Sequence, residues 1–182
     1  MERKKVVLII NGSGGCGKDT MAEIMNKYVE TKKISSIDFV KKLLEPYTLD
    51  YIRVNGKNEK YRKLLSQVKK ALIEFNDIPK AEICNQIIEL LTSSEEQVLL
   101  IDIREPEEIE KIIGFMPEDS NIKTILVIND NVTTITSNKS DESVFDYAPY
   151  DYIIDNSQTL GVLEESVVSL LNALGFEVEI DE

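Results

Sequence analysis

A chain of 182 residues with 42% hydrophobic and 30% charged side chains has the make-up of one globular unit with a full core, and none of its apolar runs approaches a membrane span. The formal net charge of −12 argues against nucleic acid as a partner, because such binding rests on cations that neutralise phosphates. Two cysteines, Cys16 and Cys84, are too few for a disulfide framework, and the lack of histidine removes the commonest zinc ligand and general base.

The apolar run VVLII (residues 6–10) predicts a buried strand and leads directly into NGSGGCGKDT (residues 11–20). Gly12, four intervening residues, Gly17 and Lys18 reproduce the G-x-x-x-x-G-K spacing of a P-loop. Glycines in that pattern let successive backbone N–H groups curl around phosphate oxygens, while the lysine reaches the β and γ phosphates. Behind the loop, Met21, Ile24, Met25, Tyr28 and Val29 form one apolar stripe of a helix whose first N–H groups and positive dipole end face the same phosphates. Strand, loop and helix stand in the order a nucleotide site requires, and the expected contacts are Gly12, Ser13, Gly14, Gly15, Cys16, Gly17, Lys18, Asp19 and Thr20. Cys16 occupies a loop position that tolerates a small residue. The position after Lys18, commonly the Ser or Thr that binds magnesium, is Asp19, whose carboxylate can hold the ion directly or through water.

A short run ISSI (residues 34–37) follows, then a helical section with Tyr61, Leu64, Leu65, Val68, Leu72 and Phe75 at helical spacing, and a further helix with Ile83, Ile87, Leu90 and Leu91. The strand VLLID (98–102), the helix PEEIEKII (106–113) and the strand IKTILVI (122–128) come next. A polar loop near 129–143, the strand YDYII (150–154), a helix carrying Leu160, Leu163, Val167, Leu170, Leu171 and Leu174, and a closing edge strand FEVEI (176–180) complete the expected elements. Short apolar strands separated by helices imply an α/β fold with a parallel sheet covered on both faces, and ligands bind at the carboxyl ends of such strands. Asp102 ends one of them, so its carboxylate is expected beside the P-loop, where P-loop enzymes place an acid for magnesium or its water; Arg104 follows on the same edge. A helix cap for Asp102 and a surface ion pair for Arg104 are the plainer alternatives.

The charge is uneven along the chain. Residues 1–93 hold 17 basic and 12 acidic groups, and residues 94–182 hold 4 and 21, so phosphate-binding equipment belongs to the first half and the acidic second half reads as a solvated face. The basic opening MERKK precedes an apolar run too short for a signal peptide, so the expected location is the cytoplasm, with no membrane partner.

IDIREPEEIEKI (101–112) and GKDT (17–20) resemble the D-[VI]-R segment and the Walker A form of P-loop deoxynucleoside monophosphate kinases of the phage and bacterial type. SSIDFVKK (35–42), YRKLLSQ (61–67), SDESV (140–144) and YDYIIDNSQTLGVLEESV (150–167) extend the likeness over nearly the whole chain. The resemblance implies the nucleoside monophosphate kinase fold: one P-loop domain over 1–182 with a five-stranded parallel sheet between helical layers, a helical substrate-binding insertion at about 38–93 and a lid loop at about 129–146. It also implies ATP and magnesium as cofactors. Lys18 and the loop amides are assigned to ATP, Asp102 with Asp19 to magnesium, Arg62 and Arg104 to the acceptor phosphate, and Asp38 to the acceptor nucleoside. Exposure of Arg62 as an ordinary helix cation, and a capping role for Asp38, are the alternatives left open by the residues themselves.

Lids of this kind of kinase supply arginines, whereas residues 129–146 here contain no arginine and one lysine, Lys139. Three readings follow. The first is an ATP-dependent P-loop phosphotransferase acting on a nucleoside or deoxynucleoside monophosphate. The second keeps the fold and phosphorylates another small metabolite of the dephospho-coenzyme A or phosphomevalonate type. The third binds ATP as a regulator without turnover.

Overall fold

A computed structural model describes residues 4–92, 95–117, 120–132, 147 and 149–180. Five strands form one all-parallel sheet: β1 (Val6–Asn11), β2 (Thr31–Ser35), β3 (Val98–Asp102), β4 (Ile122–Ile128) and β5 (Tyr152–Asp155), in the order β2-β3-β1-β4-β5. Six helices connect or flank them among the described residues: α1 (Lys18–Tyr28), α2 (Asp38–Asn55), α3 (Glu59–Asn76), α4 (Ile78–Thr92), α5 (Pro106–Ile113) and α6 (Leu160–Ala173). None of them is long and apolar enough to cross a membrane.

The unbroken apolar run of β1 reflects its central place. Strands pair with it on both edges and helices cover both faces, so all six residues are buried. Leu8, Ile10, Leu100 and Val127 face α1 and α6 on one side, where Met21, Met25, Val167 and Leu171 fill the layer. Val7, Ile9, Leu99 and Ile101 face α4 and α5 on the other, against Ile83, Ile87, Ile109 and Ile112. The chain leaves β1 toward one edge of the sheet and leaves β3 toward the other. The crevice at the carboxyl ends of these two neighbours is therefore the switch point where α/β sheets bind ligands.

Between β2 and β3 the chain runs through three helices with different roles. α2 and α3 form a cluster of their own around Val40, Tyr61 and Leu65, whereas α4 belongs to the cover of the sheet. The expected stripe on α3 is narrower than its spacing suggests: Leu64 is 38% and Phe75 82% exposed.

The strands differ from the sequence pattern at three places. β2 lies at Thr31–Ser35 and shares only Ile34 and Ser35 with the run 34–37; the lysines of TKKIS are tolerated because each finds an acid on a covering helix, Lys32 with Glu89 of α4 (3.5 Å) and Lys33 with Asp19 of α1. β5 starts at Tyr152, since the two preceding residues dock by side chain: Tyr150 meets Asn11, and the Asp151 carboxylate accepts both the backbone N–H (2.8 Å) and the hydroxyl (2.9 Å) of Thr124. Residues 176–180 pair with no strand among the described residues. Phe176 is buried in the core, and Asn172 satisfies Val178 by donating to its carbonyl and accepting from its N–H, both at 3.0 Å. Of the expected lid, residues 133–146 lie outside the described residues.

Candidate functional site

The loop between β1 and α1 is shaped by two glycines. Gly12 has φ +150°, and a Cβ there would stand 2.5 Å from the Val127 carbonyl oxygen and 2.6 Å from Cys16 Sγ. Gly17, at φ +101°, caps α1 without a side-chain hydrogen bond, and a Cβ on it would collide with Asn156 Nδ2. The first-turn N–H groups of α1 have no preceding helical carbonyl, and Gly17 at the N-cap offers no side chain to take them, the arrangement that makes a helix start a ready anion site. Asn156, just past β5, donates to the Cys16 carbonyl at 2.9 Å and so braces the loop from across the sheet.

Lys18 is only 6% exposed. Its Nζ donates to the Gly12 carbonyl (2.5 Å) and the Ser13 carbonyl (3.0 Å), with Cys16 Sγ at 3.8 Å, so the ammonium lies along the loop it would share with phosphates. Burial pushes the Cys16 thiol up in spite of Lys18, which leaves it a neutral packing group. Asn11, fully buried at the end of β1, accepts the Gly12 N–H (2.7 Å) and donates to Tyr150 Oη (2.8 Å) and to the Arg104 carbonyl (3.3 Å). One amide thus ties the loop, the β3 exit and the approach to β5. The Tyr150 phenol is pushed up to about 12, mainly by burial, and stays protonated.

Asp102 pairs in register with Ile10 and with Ser35, and it shares the α1 face of the sheet with Lys18. Burial raises its carboxyl above the ordinary carboxylate value, while Lys18, Arg104 and Lys33 pull it back down. Its buried carboxyl, at the strand end on the α1 face, is one oxygen donor available to a metal ion. Among the described residues no three His, Cys, Asp or Glu side chains converge on one metal position, so magnesium here would draw its remaining ligands from phosphate oxygens and water. Asp19 is committed differently: Lys33 Nζ bonds its carboxylate and holds it below the usual range.

Gly12 to Thr20, Asp102 and the Arg104 main chain stand at the carboxyl ends of the neighbouring strands β1 and β3, whereas Asp38 and Arg62 lie on the helices that follow β2. Asp38 closes the β2–α2 turn, accepting the Ser35 N–H and the Lys41 ammonium, each at 2.7 Å. It also lines a cavity of about 440 Å³ between α2 and α4, together with Ser35, Ser36 and Phe39. Ser36 donates its N–H to the Asp102 carbonyl at 3.2 Å, so the floor of this cavity is tied to the carboxyl end of β3. Arg62 is exposed on α3 and does not line the cavity.

Two cations escaped the sequence reading. Lys33 stands two residues before Ser35, and strand alternation puts it on the Asp102 face; that parity is visible only once β2 is set at Thr31–Ser35. Lys69 is 8% exposed on α3 and donates to Ser36 Oγ (3.0 Å), Glu105 (3.3 Å) and Glu108 (2.9 Å), tying α3 to the start of α5 and to the cavity floor. Its signal was a lysine four residues beyond Leu65 and eight beyond Tyr61, where the helical stripe calls for an apolar residue.

No protein-family model and no curated protein matches the chain. Solved structures do. TT1252 from Thermus thermophilus is similar at TM-score 0.54 and 18% identity, over 96% of this chain and 100% of that one. Dephospho-CoA kinase from Campylobacter jejuni is similar at TM-score 0.54 and 19% identity, over 93% and 97%. The APS kinase of Mycobacterium tuberculosis is similar at TM-score 0.50 and 10% identity, over 94% and 99%. At such identities the likeness is one of architecture, and the chain has the fold of P-loop kinases.

Proposed function

We propose that this chain is a kinase that transfers the γ-phosphoryl group of Mg-ATP to the phosphate of a nucleoside or deoxynucleoside monophosphate. The observation that carries the reading is that a phosphate loop and a ligand-sized cavity stand at neighbouring strand ends, with Asp102 under the charge of Lys18 on one side and paired with Ser35 of the cavity floor on the other.

In this reading the α1 N–H groups and Lys18 hold the ATP phosphates, Lys18 exchanging the Gly12 and Ser13 carbonyls for phosphate oxygens. Asp102 would hold magnesium, joined by Asp19 once its carboxylate is released from Lys33, and the ion would screen the phosphate charge and stabilise the charge that shifts toward ADP. Arg104 faces the acceptor phosphate with a planar pair of donors, and Arg62 on α3 is a second candidate for that phosphate. Among the described residues that line the cavity, Lys42 is the cation. An acceptor phosphate oxygen attacks the γ-phosphorus, the bond to the β–γ bridging oxygen breaks, and ADP leaves. An acceptor monophosphate is largely ionised at neutral pH, so positioning and positive charge carry the step and the absence of histidine is no obstacle.

The test is a phosphotransfer panel of Mg-ATP against ribo- and deoxyribonucleoside monophosphates, dephospho-coenzyme A and phosphomevalonate. Formation of a nucleoside diphosphate supports the reading. Turnover of a non-nucleotide alone reassigns the acceptor, and tight ATP binding without transfer to any of them makes the chain a nucleotide-binding regulator.

A further inference from the structure

The α4 wall of the cavity carries a polar pair that the phosphates do not need. Glu82 and Gln86, one helical turn apart, both line the 440 Å³ space, and Gln86 Nε2 donates to Glu82 Oε1 at 3.3 Å. That bond fixes the orientation of the Gln86 amide, because a carboxylate can only accept. The second Glu82 oxygen and Gln86 Oε1 remain as acceptors, against a single remaining Gln86 N–H donor. Phe39 on the α2 wall offers an aromatic surface to a flat ring, and Ile83 offers apolar contact. The opposite acid, Asp38, already accepts from Ser35 and Lys41.

From this surplus of acceptors we infer that Glu82 and Gln86 read the base of the acceptor and select bases that carry an exocyclic amino group over uracil and thymine. The inference rests on the acceptor reading given above. An amino group donates directly to the Glu82 carboxylate, and guanine can offer adjacent ring and amino N–H groups to it. Uracil and thymine present one ring N–H between two carbonyls. Placing that N–H at Glu82 sets one carbonyl lone pair against the carboxylate or against Gln86 Oε1, and only one carbonyl can take the remaining amide N–H. Sites built around buried or half-buried acceptors reject ligands that leave those acceptors unpaired.

The experiment measures kcat/KM for adenosine, cytidine, guanosine, uridine and thymidine monophosphates with the parent, Glu82→Gln and Gln86→Met. Ratios between acceptors within one variant do not depend on how much of that variant is folded. The parent is expected to favour an amino-bearing acceptor over uridine and thymidine monophosphates by at least about tenfold, and Glu82→Gln to shrink that ratio by most of its size. A uridine or thymidine monophosphate as best acceptor, or a ratio unchanged in both variants, overturns the inference while leaving the kinase reading intact. A parent that phosphorylates no nucleotide overturns both.

Discussion

Replacing Gly17 by alanine is expected to destabilise the protein by about 2–4 kcal/mol, from two sources that can be separated. Gly17 holds φ +101°, a region in which a Cβ stores about 1–3 kcal/mol of backbone strain. The new methyl would also displace Asn156, whose bond to the Cys16 carbonyl contributes about 0.5–1.5 kcal/mol. Asn156→Ala removes that same bond and the obstacle with it, so the two substitutions together should cost about 1 kcal/mol less than the sum of the singles. Urea denaturation of the parent, both single variants and the double variant measures the cycle, provided the slopes agree. Strict additivity, or a loss below about 0.5 kcal/mol for Gly17→Ala, would refute the claim that Asn156 braces a left-handed glycine at the mouth of α1.

Lys18→Ala is expected to weaken Mg-ATP binding by about 1.5 kcal/mol or more, the scale of a hydrogen bond to a charged group, and calorimetry giving equal affinities would remove the phosphate role of the loop. Asp102→Asn is expected to lower turnover far more than nucleotide affinity, because the carboxylate serves charge that moves during transfer; wild-type turnover across a magnesium titration would contradict this. The same variant has a stability signature. Folding raises the Asp102 carboxyl above its ordinary 3.8, so ionisation disfavours the folded state increasingly as pH climbs through the folded value. Asp102→Asn should therefore stabilise the unliganded protein near pH 7 and not near pH 3, and a pH-independent effect in urea titrations would rule out the desolvated carboxylate. Lys69→Met is expected to cost about 3 kcal/mol at neutral pH, because it orphans Glu108, whose carboxyl is already raised by burial. That loss should shrink as pH falls and Glu108 takes up a proton; a loss that is constant with pH would contradict the assignment.

The part of the site that the sequence exposes is the part written in local spacing. Gly12, Gly17 and Lys18 fall within one seven-residue stretch and Asp102 is marked by the end of an apolar strand, so the strand–loop–helix order and the end of β3 lie where the sequence places them. What escaped depends on register or on distance. Lys33 needed the position of an edge strand whose lysines mask its alternation, and Asn156 reaches Cys16 across 140 residues, which no local pattern encodes. Lys69 stands where the α3 stripe calls for an apolar side chain, and its burial is made tolerable only by Glu105 and Glu108 from a distant helix. The opposite error occurs at residues 176–180, where apolar alternation suggests a strand but Asn172 takes the polar groups of Val178 that a neighbouring strand would have used.

The central claim is phosphoryl transfer between the P-loop and the α2–α4 cavity, and γ-labelled Mg-ATP incubated with nucleoside monophosphates tests it most directly when the parent is run beside Arg104→Lys. The label is expected in a nucleoside diphosphate with the parent, and Arg104→Lys, which keeps the charge and loses the planar grip, should transfer at least about tenfold more slowly, equivalent to about 1.4 kcal/mol in the transition state. Label that stays in ATP or appears only as inorganic phosphate with the parent, although ATP binds tightly, would contradict the account.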